Sequence, residues 1–158
     1  MKRTLVIIKP GAIQRGYIGD IIKRFEQKGL QICGMKMVKL THEILNEHYA
    51  HLVEKPYFAA IKDSMMLTPV VVCCVYGKDA VDVVHDMAGA TNGRKAAFGT
   101  IRGDLCNSIQ HNVIHTSDSP EIAIEEINRF FSEDELFDYK FSNLEYTYSA
   151  EEIKKALL

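Results

Sequence analysis

The segment Asn112-Val113-Ile114-His115-Thr116-Ser117-Asp118 concentrates groups able to do chemistry. A histidine ends a short apolar run, with an amide three residues before it and a hydroxyl and a carboxylate just after. Ser119-Pro120-Glu121 then reads as a helix start, with a capping serine and proline at the first helical position. A histidine held between a strand end and a helix N-terminus lies where anions are attracted. Neutral imidazole, with an unperturbed pKa of about 6.5, offers a lone pair that can attack phosphorus. A partly buried structural histidine is the competing reading, so the neighbouring residues decide.

Arg102, within Gly99-Thr100-Ile101-Arg102-Gly103-Asp104, is the side chain best suited to grip a phosphate. Flanking glycines let backbone approach an anion, and a guanidinium can bond it at two points. Lys9 closes the first apolar run, and Tyr49 lies on the apolar stripe of a helix. Taken singly these are a solvated charge and a core residue; with His115 they make a cationic, hydroxyl-bearing pocket that holds a nucleophile. Other signatures are missing: there is no G-x-x-x-x-G-K-[ST] loop and no kinase catalytic-loop or D-F-G signature. His42-Glu43 opens like a zinc-protease motif, but Asn46 takes the second histidine position. His48 and His51 are one helical turn apart and would need further ligands to hold a metal.

Alternating elements must position these groups. Thr4 to Ile8 reads as a buried strand ended by Lys9-Pro10-Gly11. Ile18, Ile21, Ile22 and Phe25 follow helical spacing, with Gly29 as the stop. Gln31 to Leu40 reads as a half-exposed strand, and Thr41 as the cap of a helix carrying Leu45, His48, Tyr49 and Leu52. Lys55-Pro56 breaks that helix before a short one with Phe58, Ile61 and Met65. Pro69 to Tyr76 is a central strand, and Ala80, Val83, Val84 and Met87 mark another helix. Periodicity fails from Gly89 to Gln110, a long loop with four glycines and three basic residues. A short strand, Val113 to His115, precedes a final helix using Ala123, Ile127, Phe130 and Phe131. The order implies an α/β (α+β) chain with a ferredoxin-like split β-α-β sheet, helices packed on one face.

With 158 residues, 47% of them hydrophobic, the chain is expected to be a single domain, 1–158, with a C-terminal extension from about 132. A formal charge of −2 gives no global basic field, so no specific nucleic-acid partner is implied. Cys33, Cys73, Cys74 and Cys106 lack CxxC spacing and read as reduced, buried thiols. The N-terminal apolar run is too short for a signal or membrane segment, so a soluble, cytoplasmic protein is expected.

The chain resembles the nucleoside diphosphate kinases from end to end. The resemblance rests on Arg3-Thr4 to Lys9-Pro10, Arg15-Gly16, Ile21 to Glu26, Glu47-His48-Tyr49, Lys55-Pro56, Pro69-Val70-Val71, Gly89-Ala90-Thr91-Asn92, Gly99 to Asp104, and Asn112 to His115 with Ser117-Asp118-Ser119. It implies ping-pong transfer of the γ-phosphoryl group of a nucleoside triphosphate to a nucleoside diphosphate, through a phosphohistidine at His115. Magnesium would be bound through the nucleotide phosphates, not directly by protein. Arg102 and Thr91 match phosphate contacts, and Lys9 and Asn112 match sugar-hydroxyl contacts, Lys9 also reaching the transferred group. Tyr57 matches an aromatic on which the base stacks, with Ile61 and Ile109 near it. Tyr49 would lie beside the histidine, Glu126 would orient it through the ring nitrogen that does not attack, and Ser117 would join that hydrogen-bonded shell. Stacking without reading base edges predicts broad nucleotide tolerance. A homo-oligomer is implied, the long C-terminal segment favouring a hexamer over a tetramer.

The chain departs from the family pattern at several positions. His85 stands where an arginine usually binds the outer phosphates, a contact expected to weaken as pH rises, with Arg94 or Lys95 as substitutes. Gly93 and Phe98 replace loop prolines at a subunit contact, so Gly93 is expected to loosen assembly and an exposed Phe98 to seek a partner surface. Gly11 replaces an aspartate, and Thr116 replaces a small residue and is expected to crowd the pocket slightly. The rival reading is a nucleotide-binding regulatory module with impaired catalysis.

Overall fold

The computed structural model describes all residues except 141, 143, 157 and 158, and the backbone only of Ala156. Four strands, β1 (Lys2–Ile8), β2 (Gln31–Val38), β3 (Val70–Gly77) and β4 (Ile114–Thr116), form one sheet in the order β2-β3-β1-β4. Every pairing is antiparallel, with Val6 opposite both Cys73 and Thr116, and Ile7 opposite both Val72 and His115. The helices are α1 (Pro10–Gln14), α2 (Ile18–Gln27), α3 (His42–His48), α4 (Phe58–Met65), α5 (Ala80–Ala88), α6 (Ile101–Leu105), α7 (Pro120–Phe130), α8 (Leu144–Thr147) and α9 (Ala150–Ala156). This is the expected ferredoxin-like arrangement.

The expectation of helices on one face is corrected: both faces are covered. Val6, Ile8, Val71, Cys73 and Val75 pack with Ile21 and Phe25 of α2 and Ala80, Val84 and Ala88 of α5. Leu5, Ile7, Val70, Val72 and Cys74 pack with Leu45 of α3, Phe58 and Met65 of α4, and Ile127 and Phe130 of α7. Two covered faces explain why β1 and β3 read as nearly unbroken apolar runs instead of alternating. Each fully buried side chain such as Phe25 or Leu5 contributes about 1.5–3 kcal/mol.

Local signals set most boundaries. Thr41 accepts from Ile44 N–H, and Ser119 accepts from Ile122 N–H with Pro120 in the first turn. Gly29, at φ +86°, ends α2 in a conformation that side chains resist. Three short helices escaped the sequence reading, one of them α8 in the C-terminal segment. Pro10 and Gly11 begin α1 instead of merely stopping β1, and α6 lies inside the supposed loop, capped by the Thr100 hydroxyl on Gly103 N–H. In the C-terminal segment Ile153 of α9 is half-buried, while Leu157 and the Ala156 side chain lie outside the described residues. Among the described residues no helix is long and apolar enough to cross a membrane.

Candidate active site

His115 is the middle residue of β4, and its register opposite Ile7 turns the imidazole onto the face covered by α3, α4 and α7. Thr116, one residue on and opposite Val6, faces the other way, so it does not crowd the imidazole. His115 Nε2 lies 2.9 Å from Glu126 Oε1, and Ser117 Oγ donates to Glu126 Oε2 at 2.6 Å. Ser117 Oγ also accepts from Leu5 N–H at 3.2 Å, which ties this shell to the backbone of β1. Burial works to raise the Glu126 carboxyl, but the His115 and Ser117 hydrogen bonds and nearby His48 hold it below the usual carboxylate range. An ionised Glu126 accepts from His115 Nε2–H and leaves Nδ1 with the lone pair. No hydrogen bond engages Nδ1 among the described residues, and the ring retains 16% side-chain exposure, enough to meet a ligand.

His48 is the residue that sequence reasoning missed. It is buried with its ring 4.5 Å from that of His115, and its Nδ1 lies 3.7 Å from Glu126 Oε1, while His51 is exposed in the turn beyond. The His48–His51 metal possibility is therefore set aside. Burial, together with His115, pushes His48 down to about 3, so it is neutral in the working range. Behind it Arg129 reaches His48 Nδ1 at 3.4 Å and is tethered to Glu47 at 2.8 Å. His48, His115 and Glu126 could jointly face a metal, but two imidazoles and one carboxylate do not suit magnesium, which prefers oxygen. Tyr49 stands across from His115 at 6.1 Å between ring centres, with a buried hydroxyl that has no partner among the described residues.

The cations come from neighbouring segments. Lys9, following β1, donates to Asn112 Oδ1 at 2.7 Å, and Asn112 Nδ2 lies 3.4 Å from the Thr91 carbonyl. Burial, reinforced by the Arg102 guanidinium, lowers Lys9 to about 7. Arg102 on α6 donates to the carbonyls of Gly89 and Ile114, at 2.6 and 3.0 Å, while its buried Nε has no partner among the described residues. These bonds hold the glycine-rich segment against β4, the strand that carries His115. Val113, immediately before β4, has φ +59°, costly for a β-branched residue and a mark of strain beside a working group.

The remaining expected residues lie at the rim. Tyr57 immediately precedes α4 and is 52% exposed, Ile61 is half-buried on that helix, and Ile109 is 59% exposed. Gln110 Nε2 reaches the Ala60 carbonyl at 3.5 Å, bringing the Ile109 segment towards α4. Thr91 is exposed, and His85 is exposed in the last turn of α5. Gly93 is not a loose hinge: it is buried, and a Cβ there would overlap the Cys106 sulfur and backbone carbonyl.

Comparison with known proteins defines the class to which this fold and site belong. The family model described as nucleoside diphosphate kinase matches residues 2–136. A nucleoside diphosphate kinase of Parabacteroides distasonis is 59% identical over 152 residues, covering 96% of this chain and 99% of its own. One from Pyrococcus horikoshii is 53% identical over 141 residues, covering 87% and 90%. The solved nucleoside diphosphate kinase of Halobacterium salinarum in complex with CDP superposes with a TM-score of 0.91 at 40% identity, covering 94% of this chain and 99% of that one. The chain belongs to the nucleoside diphosphate kinase family. It is an enzyme that transfers phosphoryl groups between nucleoside triphosphates and diphosphates.

Proposed function

We propose that His115 carries this transfer as a phosphohistidine, with Nδ1 as the nucleophile. The observation that carries the reading is the Glu126 carboxylate on Nε2, which fixes the tautomer and leaves Nδ1 open. The Nδ1 lone pair attacks the γ-phosphorus, the bridging oxygen departs with the nucleoside diphosphate, and positive charge grows on the ring next to Glu126. A terminal oxygen of a second diphosphate then attacks the phosphorus and the N–P bond breaks, restoring neutral imidazole. Such transfer depends on alignment and charge stabilisation, which fixed cations supply.

Lys9, Arg102 and Thr91 hold the phosphates, and Asn112 and Lys9 the sugar hydroxyls. The unpartnered Tyr49 hydroxyl, kept protonated by burial, can donate to the transferred group. Tyr57 stacks on the base between Ile61 and Ile109, and His85 meets the outer phosphates. Magnesium, which neutralises charge on the phosphate oxygens, fits a site whose protein donors are sparse: it would be held by the nucleotide and water, with Asp118 the carboxylate acting on Arg102.

Residues 1–158 act as one domain within a homo-oligomer, a hexamer before a tetramer; Phe98, 95% exposed, supports a subunit contact. Four buried, unbridged thiols support a cytoplasmic setting. Incubation with γ-labelled ATP tests the mechanism. Acid-labile label should appear on His115 and chase onto added GDP, and His115→Ala should abolish both. Undiminished exchange by His115→Ala would refute it.

A further inference from the structure

A cavity of about 690 Å³ lies between the start of β1, the β2–β3 ribbon and the C-terminal segment. Arg3, Cys33, Tyr76, Asp138 and Tyr148 are on its wall. None of these residues takes part in the site around His115. Cys33 is the extra residue of a bulge in β2, where the register steps from Ile32 opposite Val75 to Gly34 opposite Cys74. The bulge breaks the alternation of the strand, and the Cys33 side chain joins Cys74 in the same buried cluster. Its sulfur lies 3.2 Å from Cys74 Sγ and 3.3 Å from the Cys74 carbonyl.

We propose that Cys33 and Cys74 form a peroxide-oxidisable dithiol, a modification site whose disulfide ties the edge strand β2 to β3. Cys33 is the attacking thiol, because it borders the cavity while Cys74 is fully buried. Burial and the Asp138 carboxylate oppose ionisation of Cys33, but the Cys74 thiol can donate to a Cys33 thiolate, and Arg3, 2.7 Å from Asp138, adds a nearby positive charge. The last two favour the reactive form of Cys33, in keeping with a thiol held below its ordinary range. The Cys33 thiolate attacks one oxygen of hydrogen peroxide, the O–O bond breaks, and hydroxide leaves, giving a sulfenic acid. The Cys74 sulfur then attacks the sulfenic sulfur, its proton and the departing hydroxyl form water, and the S–S bond closes. In sum, two thiols and one peroxide give one disulfide and two waters. The sulfurs need approach by only about 1.2 Å to reach bonding distance, a side-chain torsion within the bulge. Cys73, next in sequence, points to the opposite face and is pushed up to about 12 by burial, so it serves as an internal control.

The test uses the reduced full-length protein, titrated with hydrogen peroxide, denatured in N-ethylmaleimide and mapped by mass spectrometry. Two of the four thiols should be lost, recovered as a Cys33–Cys74 linked peptide pair, with Cys73 and Cys106 alkylated. Cys74→Ser should trap a dimedone-reactive sulfenic acid on Cys33, and Cys33→Ala should leave its three remaining thiols intact. Retention of all four thiols, links between chains, earlier oxidation of Cys73 or Cys106, or over-oxidation of Cys33 with Cys74 still reduced would each overturn the proposal. Phosphoryl-exchange activity of the reduced variants checks that they are folded, and the thiol chemistry is scored independently of it.

Discussion

Glu126→Gln isolates the charge that the proposed mechanism requires. Glutamine has the same shape and can still present its amide oxygen to His115 Nε2–H, so the 2.9 Å contact and the tautomer can survive. What is lost is the negative charge facing an imidazole that becomes cationic as the N–P bond forms. A hydrogen bond to a charged group is worth about 1.5–3 kcal/mol. At about 1.36 kcal/mol per tenfold in rate, transfer should slow by about ten- to a hundred-and-fifty-fold. The fold should hold. With the amide oxygen on His115, an amide N–H faces the Ser117 hydroxyl in place of the oxygen it now bonds at 2.6 Å, so that hydroxyl must turn from donor to acceptor, while a buried charge is removed as well. A net cost near 1 kcal/mol moves the melting midpoint of a chain this size by about 2–4 °C. Steady-state exchange with ATP and GDP gives the rate, and thermal unfolding gives the stability. Exchange within twofold of the parent enzyme, in a folded variant, would refute the role of the carboxylate.

Lys9 makes apo-enzyme stability depend on pH. Its folded pKa, about 7, lies below the ordinary 10.5, so below about 7 the residue is charged in both states and the penalty for burying it is complete. Between these values the unfolded chain binds the extra proton, so stability should rise with pH across that window and level off above it. Lys9→Met should flatten the rise in urea unfolding, and nucleotide binding at mildly alkaline pH should take up a proton, read by calorimetry in buffers of different ionisation enthalpy. Gly93→Ala forces a methyl group into the Cys106 sulfur and carbonyl and should cost about 1–3 kcal/mol in urea unfolding. An unchanged midpoint would show that this loop repacks freely. His85→Arg places a permanent cation at an exposed position, worth about 0.2–1 kcal/mol, so the nucleotide Kd should fall by about 1.4- to fivefold. No change in Kd would remove His85 from the phosphate contacts.

Much of this architecture could be read from side-chain patterning. The unbroken apolar runs of β1 and β3 and the helical spacing of α2 and α7 marked their elements within a few residues, because burial dictated them. The short helices were hidden for physical reasons. A proline-glycine pair begins α1, and α6 is five residues with a glycine inside, held by Thr100 and by the bonds of Arg102 to Gly89 and Ile114. Those partners are distant in sequence and leave no periodic trace. His48 shows the same limit: helical spacing placed it on an apolar stripe but could not show that β4 brings a second imidazole against it. Arg129 lies on a helix read for its apolar face, and its setting against His48 and Glu47 appears only in the fold. The bulge at Cys33 is equally silent, since it is defined by the partner strand.

The imidazole proposed to react rides on a margin of the sheet, a strand three residues long that pairs, among the described residues, with β1 alone. Sliding that short strand by a single residue along its neighbour would swing every side chain on it to the opposite surface. His115 would then point towards α2 and α5, away from Glu126. Adding or deleting one residue between Val113 and Ser117 should therefore silence the enzyme even where the chain still folds, whereas exposed turns elsewhere could change length without the chemistry noticing.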